Sequence, residues 1–300
     1  MPDPAPLPAS RAYLVPAALF ALYVIWGSTY YAMHIACRVL PPFLMAGPRY
    51  LLAGLILVVV LRVRGAPMPD RRGWLSAGLV GFLLLVLGNG LVVLGQRTIA
   101  TGVAATVVAT MPLWAAIVSA AIGERPTPRD VIGLVLGFVG IAVLQSGGSL
   151  TLGIDAYLLL FAPIAWAVGS MLSRRLPLPA GLASTAAQML VAGVVMIAIG
   201  LGRGERPLRP IDATTVAAVA YLVVFGSLVA FSAYGYLLRT VRPAVATSYA
   251  YVNPLVALLI GAAFGGESLT ATKLVACLLT IAGVLVVTLR PRGSTAGARA

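Results

Sequence analysis

Tyr23, Gly27, Tyr30 and His34 recur at i, i+4, i+7 and i+11, with Trp26 beside them, so they share one side of a helix. Other apolar segments carry polar or aromatic residues at the same kind of spacing. Asn89 and Gln96 are seven apart, and Thr106, Thr110 and Trp114 recur every fourth residue. Trp166, Ser170 and Ser173 form one such set, Ser227, Phe231 and Tyr234 another, and Asn253 stands directly before Pro254. Side chains of these types recognise a solute through hydrogen bonds and ring faces. Bond-making chemistry lacks its parts. With His34 as the single histidine an HExxH zinc motif is impossible, and no GxSxG or GxxxxGK[ST] sequence is present. Cys37 and Cys277 provide neither a disulfide framework nor a metal cluster. The expectation is therefore no enzyme, no cofactor and no metal.

Each of these residues also has a plainer reading. Ser and Thr often bond back to their own helix, and a ring near a span end anchors at the membrane interface, as His34 and Tyr236 are placed to do. Depth and the repeat described below assign Asn89, Gln96, Trp114 and Trp166 to a cavity. Pro112 and Pro254 would leave the carbonyls of Val108 and Ala250 without donors, either to meet a solute or to be resolved by a neighbouring helix. Arg49 is the one charge well inside an apolar run; it either meets a solute carboxylate or is a structural tie. Glu124 and Glu267 lie at span ends. Thr127, Pro128 and Asp130 have the spacing of an N-cap, a first-turn proline and a third-position acid.

These residues need elements to hold them, and composition says which. The 300 residues are 60% hydrophobic and only 10% charged, against roughly a quarter charged in soluble domains. A soluble globule could not hide so much apolar surface. Apolar runs of the roughly 20 residues that a bilayer requires fall at 13–36, 42–63, 73–95, 101–122, 129–147, 155–173, 182–201, 213–237, 243–265 and 270–289. The fold class is an all-α polytopic membrane protein with ten transmembrane helices. Residues 1–12 and 291–300 form cytoplasmic tails, the first disordered. The net charge of +13 does not indicate nucleic acid, because its arginines sit in short breaks between runs. Fourteen basic residues lie in the breaks on one side and six on the other, which places both termini in the cytoplasm.

Residues 13–147 and 155–290 repeat one another. Arg97-Thr98-Ile99 aligns with Arg239-Thr240-Val241, and Met111-Pro112-Leu113 with Asn253-Pro254-Leu255, at one offset of 142. Gly123-Glu124-x-x-Thr127 matches Gly266-Glu267-x-x-Thr270, Trp26 matches Trp166, and Ala53-Gly54 matches Ala192-Gly193. Five spans is an odd number, so the second copy must be inverted, the arrangement of secondary transporters with a site between the halves. Gly133 with Gly137 and Gly261 with Gly265 form small-residue faces for close helix packing, within or between chains.

With Trp26-Gly27-Ser28, the Pro48-Arg49-Tyr50-Leu51-Leu52-Ala53 stretch and Ser173-Arg174-Arg175 added to these pairs, the chain resembles the EamA-type transporters of the drug/metabolite transporter superfamily. The resemblance implies an inner-membrane carrier of small metabolites, often an amino-acid exporter. It also implies that spans one, three, four, six, eight and nine enclose the cavity, leaving spans two and seven peripheral. That favours the structural reading of Arg49. Aromatic amino-acid exporters are the subgroup resembled, through the aromatic content of the cavity spans. The expected function is facilitated export of small neutral or aromatic amino acids, with Trp26, Tyr30, Asn89, Gln96, Thr110, Trp114, Trp166, Ser170, Tyr234 and Asn253 binding the solute. Efflux of drugs, nucleobases or other metabolites is the alternative, and a non-transporting scaffold is another. The partners are a small solute and the bilayer; the oligomeric state is left open.

Overall fold

The computed structural model describes residues 13–95, 107–124, 126–145, 154–265 and 270–288. Gln96, Thr106, Glu267 and the two tails lie outside the described residues. Among those described, ten helices follow in order: α1 (Leu14–Cys37), α2 (Pro42–Val63), α3 (Arg71–Gly95), α4 (Met111–Ala121) and α5 (Pro128–Gln145). The second set is α6 (Ile154–Leu172), α7 (Leu182–Gly202), α8 (Ala213–Thr240), α9 (Tyr249–Gly265) and α10 (Ala271–Thr288), with a short turn at Pro243–Ala246 before α9. Of these, α1, α2, α3, α7 and α8 are long and apolar enough to cross a bilayer.

Helix starts are set by the few acids. Asp70 accepts the Gly73 N–H at 2.7 Å at the head of α3, and Asp212 accepts the Thr215 N–H at 2.7 Å at the head of α8. Each satisfies an amide that has no partner within the helix. Ahead of α5, the Asp130 carboxylate accepts the Thr127 N–H at 2.9 Å while the Thr127 hydroxyl accepts the Asp130 N–H at 3.3 Å, a reciprocal cap. Glu205 caps α2 from the opposite repeat, accepting the amides of Phe43 and Leu44 at 3.1 and 2.9 Å.

Pro112 departs from the expectation of a proline interrupting a helix. It occupies the first turn of α4, behind a break at Ala109 and Thr110, where the missing N–H would have had no partner in any case. Pro254 does lie inside α9. Three helices also contain wider π turns, at Leu22–Trp26 in α1, Phe82–Asn89 in α3 and Leu222–Val229 in α8. Those in α3 and α8 occupy equivalent places in the two repeats. π turns are rare and frequently mark functional sites.

Helices α2 and α7 pack along each other through glycines. A Cβ on Gly47 would lie 2.7 Å from Ile197, one on Gly193 would lie 2.5 Å from the Leu51 amide, and one on Gly54 would lie 2.9 Å from Leu190. Contacts step backward along α7 as they step forward along α2, so equivalent helices of the two repeats run antiparallel. That is what inversion of the second copy requires. Gly133 and Gly137 of α5 lie equally close to Gly283 of α10, so this small-residue face packs within the chain.

Gly193→Val should be destabilising, because it pushes a branched side chain into the α2 backbone. The expected loss is roughly 1–3 kcal/mol, the usual cost of overpacking, read as a lower thermal midpoint of the purified protein in detergent. Gly202→Ala serves as a control, since nothing lies within 4 Å of a Cβ there.

Candidate functional site

Trp26, at the end of the π turn in α1, gathers four rings from the second repeat. Its ring centroid lies 4.6 Å from Tyr249, 4.9 Å from Phe231, 5.2 Å from Tyr234 and 5.6 Å from Trp166. Three of these pairs are edge-to-face, the arrangement that ring quadrupoles favour. The indole N–H donates to the Gly226 carbonyl at 3.1 Å, inside the π turn of α8. Trp166 stacks on Phe231 at 6.1 Å, and Tyr50 of α2 meets Phe231 at 5.9 Å. Tyr234 shares a hydrogen bond with Ser170 at 2.6 Å, and the Ser170 hydroxyl also donates to the Trp166 carbonyl at 2.6 Å. The cluster joins α1, α2, α6, α8 and α9.

On one side of this cluster lies a cavity lined by Trp26, Thr29, Tyr30 and Met33 of α1, Arg49 of α2, Gly88, Asn89 and Val92 of α3, and Val108 and Met111 at the start of α4. The second repeat contributes Ala162, Pro163 and Trp166 of α6 and Tyr249 and Asn253 of α9. On the other side is a second cavity, lined by Ser173, Ser184, Thr185, Gln188, Tyr234 and Arg239 among others. Trp26, Trp166 and Tyr249 face the first, Phe231 and Tyr234 the second. The rings therefore form a partition between them.

The predicted binding residues are distributed unevenly over this geometry. Trp26, Tyr30, Asn89, Trp166 and Asn253 come together in the first cavity. Tyr234 lines the second, with Ser170 bonded to it. Thr110 and Trp114 instead line an apolar groove with Leu113, Phe138, Leu160, Phe161 and Ile164, away from both cavities. The Thr110 hydroxyl bonds back to the Val107 carbonyl at 2.7 Å. Gln96 is outside the described residues.

Three polar cavity residues were not singled out from sequence as binding residues: Thr29, Tyr249 and Arg49. Tyr249 had a legible signal, since it stands four residues before Asn253 and so on the same helical face. Arg49 was visible as a charge within a span, but the expectation that α2 is peripheral pointed it away. In the structure it is 2% exposed, does not snorkel, and its Nε donates to the Ser227 hydroxyl at 2.8 Å.

At the arginine-rich end, Glu124 pairs with Arg174 at 3.5 Å and with Arg175 at 3.9 Å. Arg242 reaches Asp130 at 3.0 Å. Arg174 Nη1 donates to the carbonyls of Leu238 and Val241 at 2.5 and 3.0 Å. These contacts tie the α4–α5 link to the ends of α6 and α8, closing the repeats over the second cavity. Glu124 has the structural place that its position at a span end implied.

The EamA-like transporter family model matches residues 15–145 and again residues 154–289, one match per repeat. The chain belongs to the EamA-like transporter family. This EamA chain is 43% identical over 274 residues to the uncharacterized inner membrane transporter YedA of Escherichia coli strain K12, covering 91% of this chain and 90% of that protein. It is 23% identical to the probable amino-acid metabolite efflux pump of Salmonella typhimurium, covering 88% and 91%. A solved crystal structure superposes with a TM-score of 0.76 at 20% identity, covering 91% of this chain and 96% of the other, and bears on fold alone. The protein is a two-repeat membrane transporter, and its relatives are named inner-membrane transporters.

Trp26→Ala should cost roughly 3–5 kcal/mol, the range for truncating a buried aromatic. Trp26→Phe, which keeps a ring and loses the bond to Gly226, should cost about 1 kcal/mol. Thermal unfolding of the two purified variants in detergent reads the difference.

Proposed function

We propose that this chain is a secondary carrier exporting small neutral or aromatic amino acids and related metabolites across the inner membrane by alternating access. The observation carrying this reading is the cavity between the repeats, closed on one side by packed rings with a second cavity beyond them. A partition of packed rings drawn from both repeats opens when one repeat rocks against the other, as inverted-repeat carriers do. The solute set is Trp26, Tyr30, Asn89, Trp166 and Asn253, with Tyr234 and Ser170 on the far side of the partition. Gln96 joins it through its seven-residue spacing from Asn89. The name of the Salmonella relative supports amino-acid metabolites as the cargo class.

The energetics favour facilitated transport. Asp70, Asp130, Asp212, Glu124 and Glu205 are all engaged at helix ends or in links, so no acid among them can carry a proton past the partition. The charge asymmetry of the breaks supports a cytoplasmic location for the arginine-rich end and both termini.

Purified protein in liposomes should equilibrate amino acids down their gradients, with no uphill uptake when a pH gradient is imposed. Failure to move any member of an amino-acid panel overturns the cargo assignment, and pH-driven accumulation overturns the uncoupled mechanism. Trp166→Ala should lower uptake about tenfold, equivalent to roughly 1.4 kcal/mol of solute binding. Trp114→Ala, in the outer groove, should leave uptake near that of the unaltered chain.

A further inference from the structure

Arg49 is a permanent cation, buried with no counter-anion among the described residues. The ion pairs among the described residues join Glu124 to Arg174 and Arg175 and Asp130 to Arg242; none includes Arg49. Its side chain is 2% exposed and lines the central cavity. Nε is used on Ser227, the guanidinium carbon lies 4.9 Å from the centre of the Tyr50 ring, and Nη1 is buried with no hydrogen-bond partner. Space for the group exists because residue 226 is glycine: a Cβ there would come within 2.9 Å of Arg49 Nη2.

A structural tie has a different form in this same molecule. Arg174 directs Nη1 at two backbone carbonyls and lies against Glu124. Each arginine has one buried donor without a hydrogen bond. That of Arg174 lies 3.5 Å from the Glu124 carboxylate, whereas Arg49 makes one neutral side-chain hydrogen bond and its idle donor lies beside a cavity. An isolated buried charge is strongly disfavoured unless an anion completes it. The cavity also holds two unpartnered acceptors, the side-chain oxygens of Asn89 and Asn253. Either carboxamide can present an oxygen or an NH2 group.

We infer that Arg49 binds a carboxylate of the carried solute, so that the cavity selects solutes bearing a carboxylate and no net positive charge. The carboxylate accepts from the guanidinium and forms a neutral pair with it. Asn89 and Asn253 accept from the solute's ammonium group where it has one. Amines and amino-acid amides, which carry a positive charge and no carboxylate, are disfavoured by repulsion and by the idle donor they leave. This rests on the carrier reading of the cavity and adds the charged group and the residue that recognises it.

The experiment compares alanine, leucine and phenylalanine with their own amides, and adds 3-phenylpropionate, a carboxylate without an ammonium group. Full-length protein is assayed for flux in liposomes and for thermal stabilisation in detergent. The unaltered chain should favour each acid over its amide by roughly a hundredfold, the cost of losing one partner of a buried charge pair. Arg49→Lys should keep a weakened preference, and Arg49→Gln should abolish it. Equal handling of acids and amides by the unaltered chain, or an Arg49→Gln protein that still prefers acids, overturns the inference and leaves the carrier reading standing. Movement of 3-phenylpropionate with no amino acid moved upholds Arg49 and removes amino acids as cargo. No movement and no stabilisation by any of the compounds overturns both. Should Arg49→Gln fail to fold, the acid-against-amide difference in stabilisation of the unaltered chain decides.

Discussion

Within a bilayer, pressing one leucine against another gains little, because lipid tails are as apolar as side chains. Helices in such a medium are held by close backbone approach, by ring packing and by polar atoms that find partners nowhere else. The contacts of this chain sort along those lines. Gly47, Gly54 and Gly193 bring α2 and α7 to backbone distance, and Gly133, Gly137 and Gly283 do the same for α5 and α10. Each pair takes one helix from each repeat, so the scaffold consists of equivalent helices zipped together. Around the cavities, rings and side-chain hydrogen bonds join the helices as well.

Trp26 concentrates that second kind of contact. It belongs to the first repeat, yet the four rings nearest it and the carbonyl it bonds all belong to the second. The Gly226 carbonyl lies in a π turn, where the wider winding weakens the regular backbone pattern. Gly226 has two consequences at once: its carbonyl fixes Trp26, and its missing side chain admits Arg49. The partition and the cavity cation are thus positioned by one backbone site.

Charge is divided accordingly. The described acids serve at helix heads and in the arginine-rich end, where backbone amides and arginines partner them. The buried cation lines the cavity, and none of the described ion pairs includes it. The shortage of charge that first marked the chain as a membrane protein falls most on the acids, and no carboxylate pairs with Arg49 among the described ion pairs.

Composition, the roughly 20-residue apolar runs and the offset between Met111-Pro112 and Asn253-Pro254 were enough to read ten helices in two inverted sets, because burial in lipid imposes length and hydrophobicity directly on sequence. Helical spacing likewise brought Trp26 with Tyr30, and depth pointed to Asn89 and Trp166. Spacing states which residues share a face, but not what that face meets. Trp114 looks as cavity-bound as Trp166 until the packing of α4 on α6 places it in an outer groove. Pro112 looks like a helix break until the turn before it makes it a helix start. Arg49 looks peripheral because α2 is a scaffold helix. Only the tertiary structure decides that a gap at Gly226, 177 residues further along the chain, lets its guanidinium enter the cavity. Which helix supplies that gap depends on non-local packing, and no local pattern around Arg49 encodes it.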